Sequence, residues 1–136
     1  MKSVYTRLSR VEDFVTRLIG SAGVSGQIFV QTLPVTLKKG WRDMVLVDVG
    51  RGRQNGAYMS YTVNVFLYGR PTGDLQKKDA ELIDGMEEKF REAVRQSSDE
   101  HYEITEEWCD SGYDTARNFH FNVVSCAVKK IGRAHV

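Results

Sequence analysis

Residues 60 to 70, SYTVNVFLYGR, separate into two alternate sets. Tyr61, Val63, Val65 and Leu67 are uniformly apolar or aromatic, whereas Ser60, Thr62 and Asn64 give way to Phe66 and Tyr68. Successive side chains of an extended chain point to opposite faces, so this alternation predicts a strand. Its second face turns from polar to aromatic halfway along, which predicts a wet part and a covered part of one sheet surface. DMVLVDV, residues 43–49, sets Val45, Val47 and Val49 against Met44, Leu46 and Asp48. Both sets are rather apolar, which places this strand inside a sheet. The connecting GRGRQNGA holds three glycines and an Asn-Gly pair. That composition predicts a β-hairpin with a long tip.

Elsewhere the apolar period lengthens. Leu8, Val11, Val15 and Leu18, flanked by Phe14 and Ile19, form a helical stripe over residues 3–20, stopped by Gly20, Ser21 and Gly23. Leu82, Ile83, Met86, Phe90, Ala93 and Val94 form a second stripe over 75–96. Asp74 is the expected N-cap of that helix, with Thr72 as competitor. Ile28 to Leu33 is a short strand candidate closed by Pro34. HYEITEEWC puts Tyr102, Ile104 and Trp108 on one face with Glu106 among them, and Glu103, Thr105 and Glu107 on the other, as an exposed or edge strand would. DSGYDTARN reads as a loop and FHFNVVSCAVKKI as the last strand.

The element order is therefore α-β-β-β-α-β-β. Two amphipathic helices are too few to cover both faces of about five strands, so the expected fold is α+β, with both helices on one face of a mostly antiparallel sheet. The other face is left to water or to another protein.

Composition leaves this reading intact and narrows the class. With 136 residues, 41% apolar and 27% charged, the chain fits a single domain over 1–136 that needs no metal or disulfide staple. The net charge of +1 gives no global reason to expect nucleic acid. Cys109 and Cys126 form no CxxC pair, Met1 leads into a mixed-polarity stretch without an apolar signal core, and no apolar run has membrane-spanning length. These features point to a reduced, cytoplasmic protein without a membrane segment.

Candidate chemistry is sparse. There is no P-loop, dinucleotide fingerprint, GxSxG or HExxH, and no cofactor is implied. Arg51 and Arg53 sit between glycines on the expected hairpin tip, as either a solvated turn or a basic finger in weak contact with DNA phosphate. Glu103, Glu106, Glu107, Asp110 and Asp114 form an acidic group, but alternation splits it across two faces, which favours a solvated edge over a metal site. Cys126 and His120 lie about 20 Å apart along one strand and cannot form a dyad, leaving His101 on the adjoining strand as the only candidate base for Cys126. Phe66, Tyr68, Trp108 and Trp41 could line a pocket, an interface or the core; only one sheet face has helices to cover it.

The helix to Ile19, the hairpin DMVLVDVGRGRQNGAYMSYTVNVFLYG, the helix GDLQKKDAELIDGMEEKFREAV and the closing pair YEITEEWCDSGYDTARNFHFNVVSCAV together resemble the tail-terminator and tail-completion proteins of long-tailed bacteriophages and prophages. The resemblance spans nearly the whole chain and lies in element order and hydrophobic texture. It implies a non-enzymatic subunit of a ring that caps the tail tube and joins it to the head. The implied partners are further copies of the chain, the tail-tube protein and a head-connector protein. Phe66 and Tyr68 are then expected at the subunit interface, with Arg51 and Arg53 projecting from the hairpin tip. Two further readings are a small α+β module binding a ligand or peptide on its open sheet face, and an enzyme using His101, His120 or the acidic strand.

Overall fold

Val11, Phe14, Val15 and Ile19 recur at helical spacing and are buried, so they fix helix α1, Leu8–Ser21. The computed structural model describes residues 8–131, and the expected first turn over 3–7 lies outside them. Ile83, Met86, Phe90 and Val94 do the same for α2, Ala80–Gln96. Its N-cap is Asp79, not Asp74: the Asp79 carboxylate accepts from the Leu82 amide at 3.2 Å. The helix starts late because residues 72–77 already spend their backbone groups. Thr72 and Lys77 form an antiparallel bridge, and Gln76 turns the chain at φ 53.

Among the described residues six strands form one sheet: β1 (Gln27–Val30), β2 (Asp43–Val49), β3 (Arg53–Asn55), β4 (Tyr58–Gly69), β5 (Tyr102–Asp114) and β6 (Phe119–Lys130). The spatial order is β1-β2-β4-β6-β5, with β3 also paired to β4. Among the described residues only the β1–β2 pair is parallel. The fold is thus α+β and mostly antiparallel, with one strand more than expected. Both helices contribute to one core with Val45, Val47, Tyr61, Val63, Val65, Leu67, Val124, Cys126 and Val128, so they share one face of the sheet.

Part of the glycine-rich segment is strand: Arg53–Asn55 form β3. Gly50 donates to the Thr62 carbonyl at 2.8 Å and Arg53 pairs with Ser60, so Arg51 and Gly52 together oppose Tyr61. Two residues against one is a β-bulge. Gly52 is required there by space: a Cβ would lie 2.5 Å from the buried Tyr61 ring. The true tip is the turn between paired Asn55 and Tyr58.

β5 also extends further than its composition suggests, to Asp114, leaving only residues 115–118 as a loop. A second bulge lies between Glu106, opposite Cys126, and Trp108, opposite Ser125. Glu107 is the additional residue, and it reverses the alternation of everything after it. Trp108 therefore stands on the face away from the helices, not with Tyr102 and Ile104 as the sequence pattern predicts.

Candidate functional site

Strand pairing lays out the face away from the helices as rows. Met44, Tyr68, Phe121 and Gly112 form one row, and Leu46, Phe66, Val123 and Asp110 the next. Then come Asp48, Asn64, Ser125 and Trp108, followed by Thr62, Ala127 and Thr105. The polar-to-aromatic switch read from β4 is a switch across the whole sheet.

What covers the aromatic end follows from the β1–β2 pairing. Parallel neighbours need a crossover connection, and here residues 31–42 cross this second face. Leu33 joins Met44, Tyr68 and Phe119 in a second core, with Phe29, Leu37, Leu46, Phe66 and Phe121 packed against it. Tyr68 lies 5.3 Å from the Phe121 ring and 6.3 Å from Phe119, and Phe66 lies 5.5 Å from Phe121. Arg70 pins the crossover down. Its Nε donates to the Trp41 carbonyl at 2.6 Å and its Nη2 to the Lys38 carbonyl at 3.3 Å, while the guanidinium sits 4.7 Å above the Phe119 ring. Trp41 itself packs on Phe29 at 5.4 Å.

The residues expected at an interface are therefore separated. Tyr68 is 6% exposed and belongs to the protein's own second core, so it offers no free surface. Phe66 is half-buried at the edge of that core. Trp108, 55% exposed, is the large apolar side chain left open on the uncovered rows. Beside it, Asn64 Oδ1 and Ser125 Oγ are buried without a hydrogen-bond partner among the described residues. Arg51 and Arg53 are exposed along the outer arm of the hairpin. The break in alternation at TEEWCD was the available sign that Trp108 changes face. Arg70 gave no local sign, because its partners are 29 and 32 residues away.

The candidate catalytic groups do not converge. Cys126 faces Glu106 across the β5–β6 pair, and His101 lies at the far end of β5 beside Tyr102, whose partner is Lys130. His120 packs against Tyr113 at 4.6 Å. Glu106, the acid on the helix-covered side of β5, is bound by Arg91 at 3.0 Å and approached by Arg95 at 3.8 Å. The hydrogen bonds that Arg91 donates to Glu106 and Glu87 hold it firmly protonated. Among the described residues no group of three or more His, Cys, Asp or Glu could hold a metal ion.

Burial, reinforced by the charges of Glu106 and Glu107, pushes the Cys126 thiol from 9.0 up to about 12. Burial, with the Asp114 charge adding, likewise moves Tyr68 from 10.0 to about 12. Both groups are neutral when protonated and have higher pKa values folded than unfolded. The stability they contribute is present below about pH 9 and is lost as pH rises from there toward 12. Urea midpoints should fall over this range, and Cys126→Ala should flatten the first part of the decline, between pH 9.0 and 10.0. An identical pH profile in the variant would show that the thiol stays out of the titration.

No family model and no curated protein sequence matches the chain. Among the described residues no helix is long and apolar enough to cross a membrane.

Proposed function

We propose that the protein is a non-enzymatic assembly subunit of a phage or prophage tail, acting in a tail-terminator or head–tail joining ring. In this reading it forms in the cytoplasm and is carried into the virion. The observation that carries the proposal is the exposed Trp108 on a sheet face whose other end is already sealed by the crossover segment. An exposed tryptophan bordered by polar rows has the composition of an interface centre with its rim. A closed ring needs two different patches that complement each other. In this reading the second is the hairpin arm carrying Arg51 and Arg53, since the β5 edge beside Trp108 carries exposed Glu103, Glu107 and Asp110.

The test is native mass spectrometry with light scattering, with and without a tail-tube protein. Trp108→Ser is expected to reduce self-association by at least about tenfold while leaving the thermal midpoint nearly unchanged, as for an exposed anchor residue. Phe66→Ser should lower both, because Phe66 belongs partly to the second core. A protein that stays monomeric at high concentration and is unchanged by tail-tube protein would sink the proposal.

A further inference from the structure

Arg10, Asp13 and Arg17 follow one another at three- and four-residue spacing on α1, so they share a face of the helix. That face meets the start of β5 and the end of β6. Together with His101, Tyr102 and Lys130 they line a cavity of about 410 Å³. Arg10 and Arg17 are exposed, and neither is among the ion-paired arginines of the described residues, which are Arg42, Arg91, Arg95 and Arg117. Three cationic side chains, Arg10, Arg17 and Lys130, therefore share the lining of one cavity with a single carboxylate, Asp13. The nearby Asp99 carboxylate is already engaged, accepting from the His101 amide at 2.8 Å and the Tyr102 amide at 3.1 Å.

The floor of the cavity is firm. Tyr102 is buried and stacks on Phe14 at 4.9 Å, and Lys130 Nζ lies 5.3 Å from the Tyr102 ring centre. The Ile131 amide donates to the His101 carbonyl at 2.9 Å, which fixes the chain beside the cavity. The cations are thus presented from two sides of a braced junction.

We propose that this cavity binds a run of linked phosphates. Guanidinium forks match phosphate oxygens in pairs, and a lysine adds a point charge. Arg10 and Arg17 are two helical turns, about 10 Å, apart along α1. A chain of phosphates can place a separate phosphate on each fork, and Lys130 adds a third cation from the β6 side of the cavity. Two sources share this chemistry: a free oligophosphate, including that of a nucleotide, and the backbone of a nucleic acid.

Calorimetric titration of the full chain with inorganic tripolyphosphate, monophosphate and a duplex of about 20 base pairs tests the proposal and separates the sources. Tripolyphosphate or the duplex should bind, and Arg10→Ala/Arg17→Ala should weaken binding by about tenfold or more. Arg51→Ala/Arg53→Ala serves as the control and should leave tripolyphosphate binding within about twofold. Binding of tripolyphosphate that the α1 pair controls identifies a free oligophosphate, and binding of the duplex alone identifies a nucleic-acid backbone. Circular dichroism checks that each variant stays folded. The proposal is overturned by no binding of either probe, by equal losses in the two double variants, or by monophosphate binding as tightly as tripolyphosphate.

Discussion

Asn122→Asp is expected to destabilise the protein by about 3 kcal/mol or more at neutral pH, because two hydrogen bonds to charged groups are lost and a buried acceptor is left facing acceptors. Asn122 is 6% exposed on the helix-covered face of β6. Its Nδ2 donates to Asp84 Oδ1 and Glu87 Oε1, each at 3.0 Å, and its Oδ1 accepts from Lys78 Nζ at 2.9 Å. Aspartate has the same shape but no donor, so the change opens no cavity and isolates the polar effect. A third carboxylate would then face two others. The damage should spread, because Glu87 also binds Arg91 at 3.1 Å and Arg91 binds Glu106 on β5 at 3.0 Å. This chain of contacts ties β6, α2 and β5 together. Urea unfolding at neutral pH should show the loss. At about pH 4, where a carboxyl is partly protonated and can donate again, the gap between variant and parent should narrow. Equal midpoints at both pH values would mean that solvent satisfies the site.

Arg70→Ala is expected to release the crossover segment from the sheet. The guanidinium donates to two backbone carbonyls of that segment, at Lys38 and Trp41, and lies over Phe119. Charge-assisted bonds of this kind and a cation–π contact together contribute about 2–4 kcal/mol. Alanine keeps the Arg70 backbone bond to the Arg42 carbonyl at 2.8 Å, so the strand end stays in place. The helix-side core should survive while Leu33, Tyr68 and Phe119 become accessible. Binding of an apolar fluorescent dye should rise, and trypsin should cut at Lys38 or Lys39 well before global unfolding. If both readouts match the parent, apolar contacts alone hold the segment down. Self-association gained in this variant should also differ from native assembly by being insensitive to Trp108→Ser, since a different surface has been opened.

Legibility in the sequence followed the range of each interaction. The alternation of β4 and the stripes of both helices set which side chains face the core, and the structure keeps those assignments for Tyr61, Val63, Val65, Leu67, Phe90 and Val94. The start of α2 was misplaced because Asp74 and Asp79 are both good capping residues, and only the Thr72–Lys77 bridge selects between them. The candidate surface was half visible. Phe66 and Tyr68 lie on the face away from the helices, but burial assigns Tyr68 to the second core and leaves Trp108 as the open aromatic.

Local periodicity by itself determined the two helices, the central hairpin and the closing strand pair, and their number, through layer packing, implied that both helices share one sheet face. Period 2 and period 3.6 are properties of the backbone, and a side chain's direction follows from them without reference to distant residues. Tertiary structure alone decided what lies on the second face. The parallel pairing of β1 with β2 sends residues 31–42 across it. The bulge at Glu107 turns Trp108 outward, and Arg10, Arg17 and Lys130 meet only where α1 crosses the ends of β5 and β6. Each depends on contacts between segments far apart in the chain, where no local period carries information.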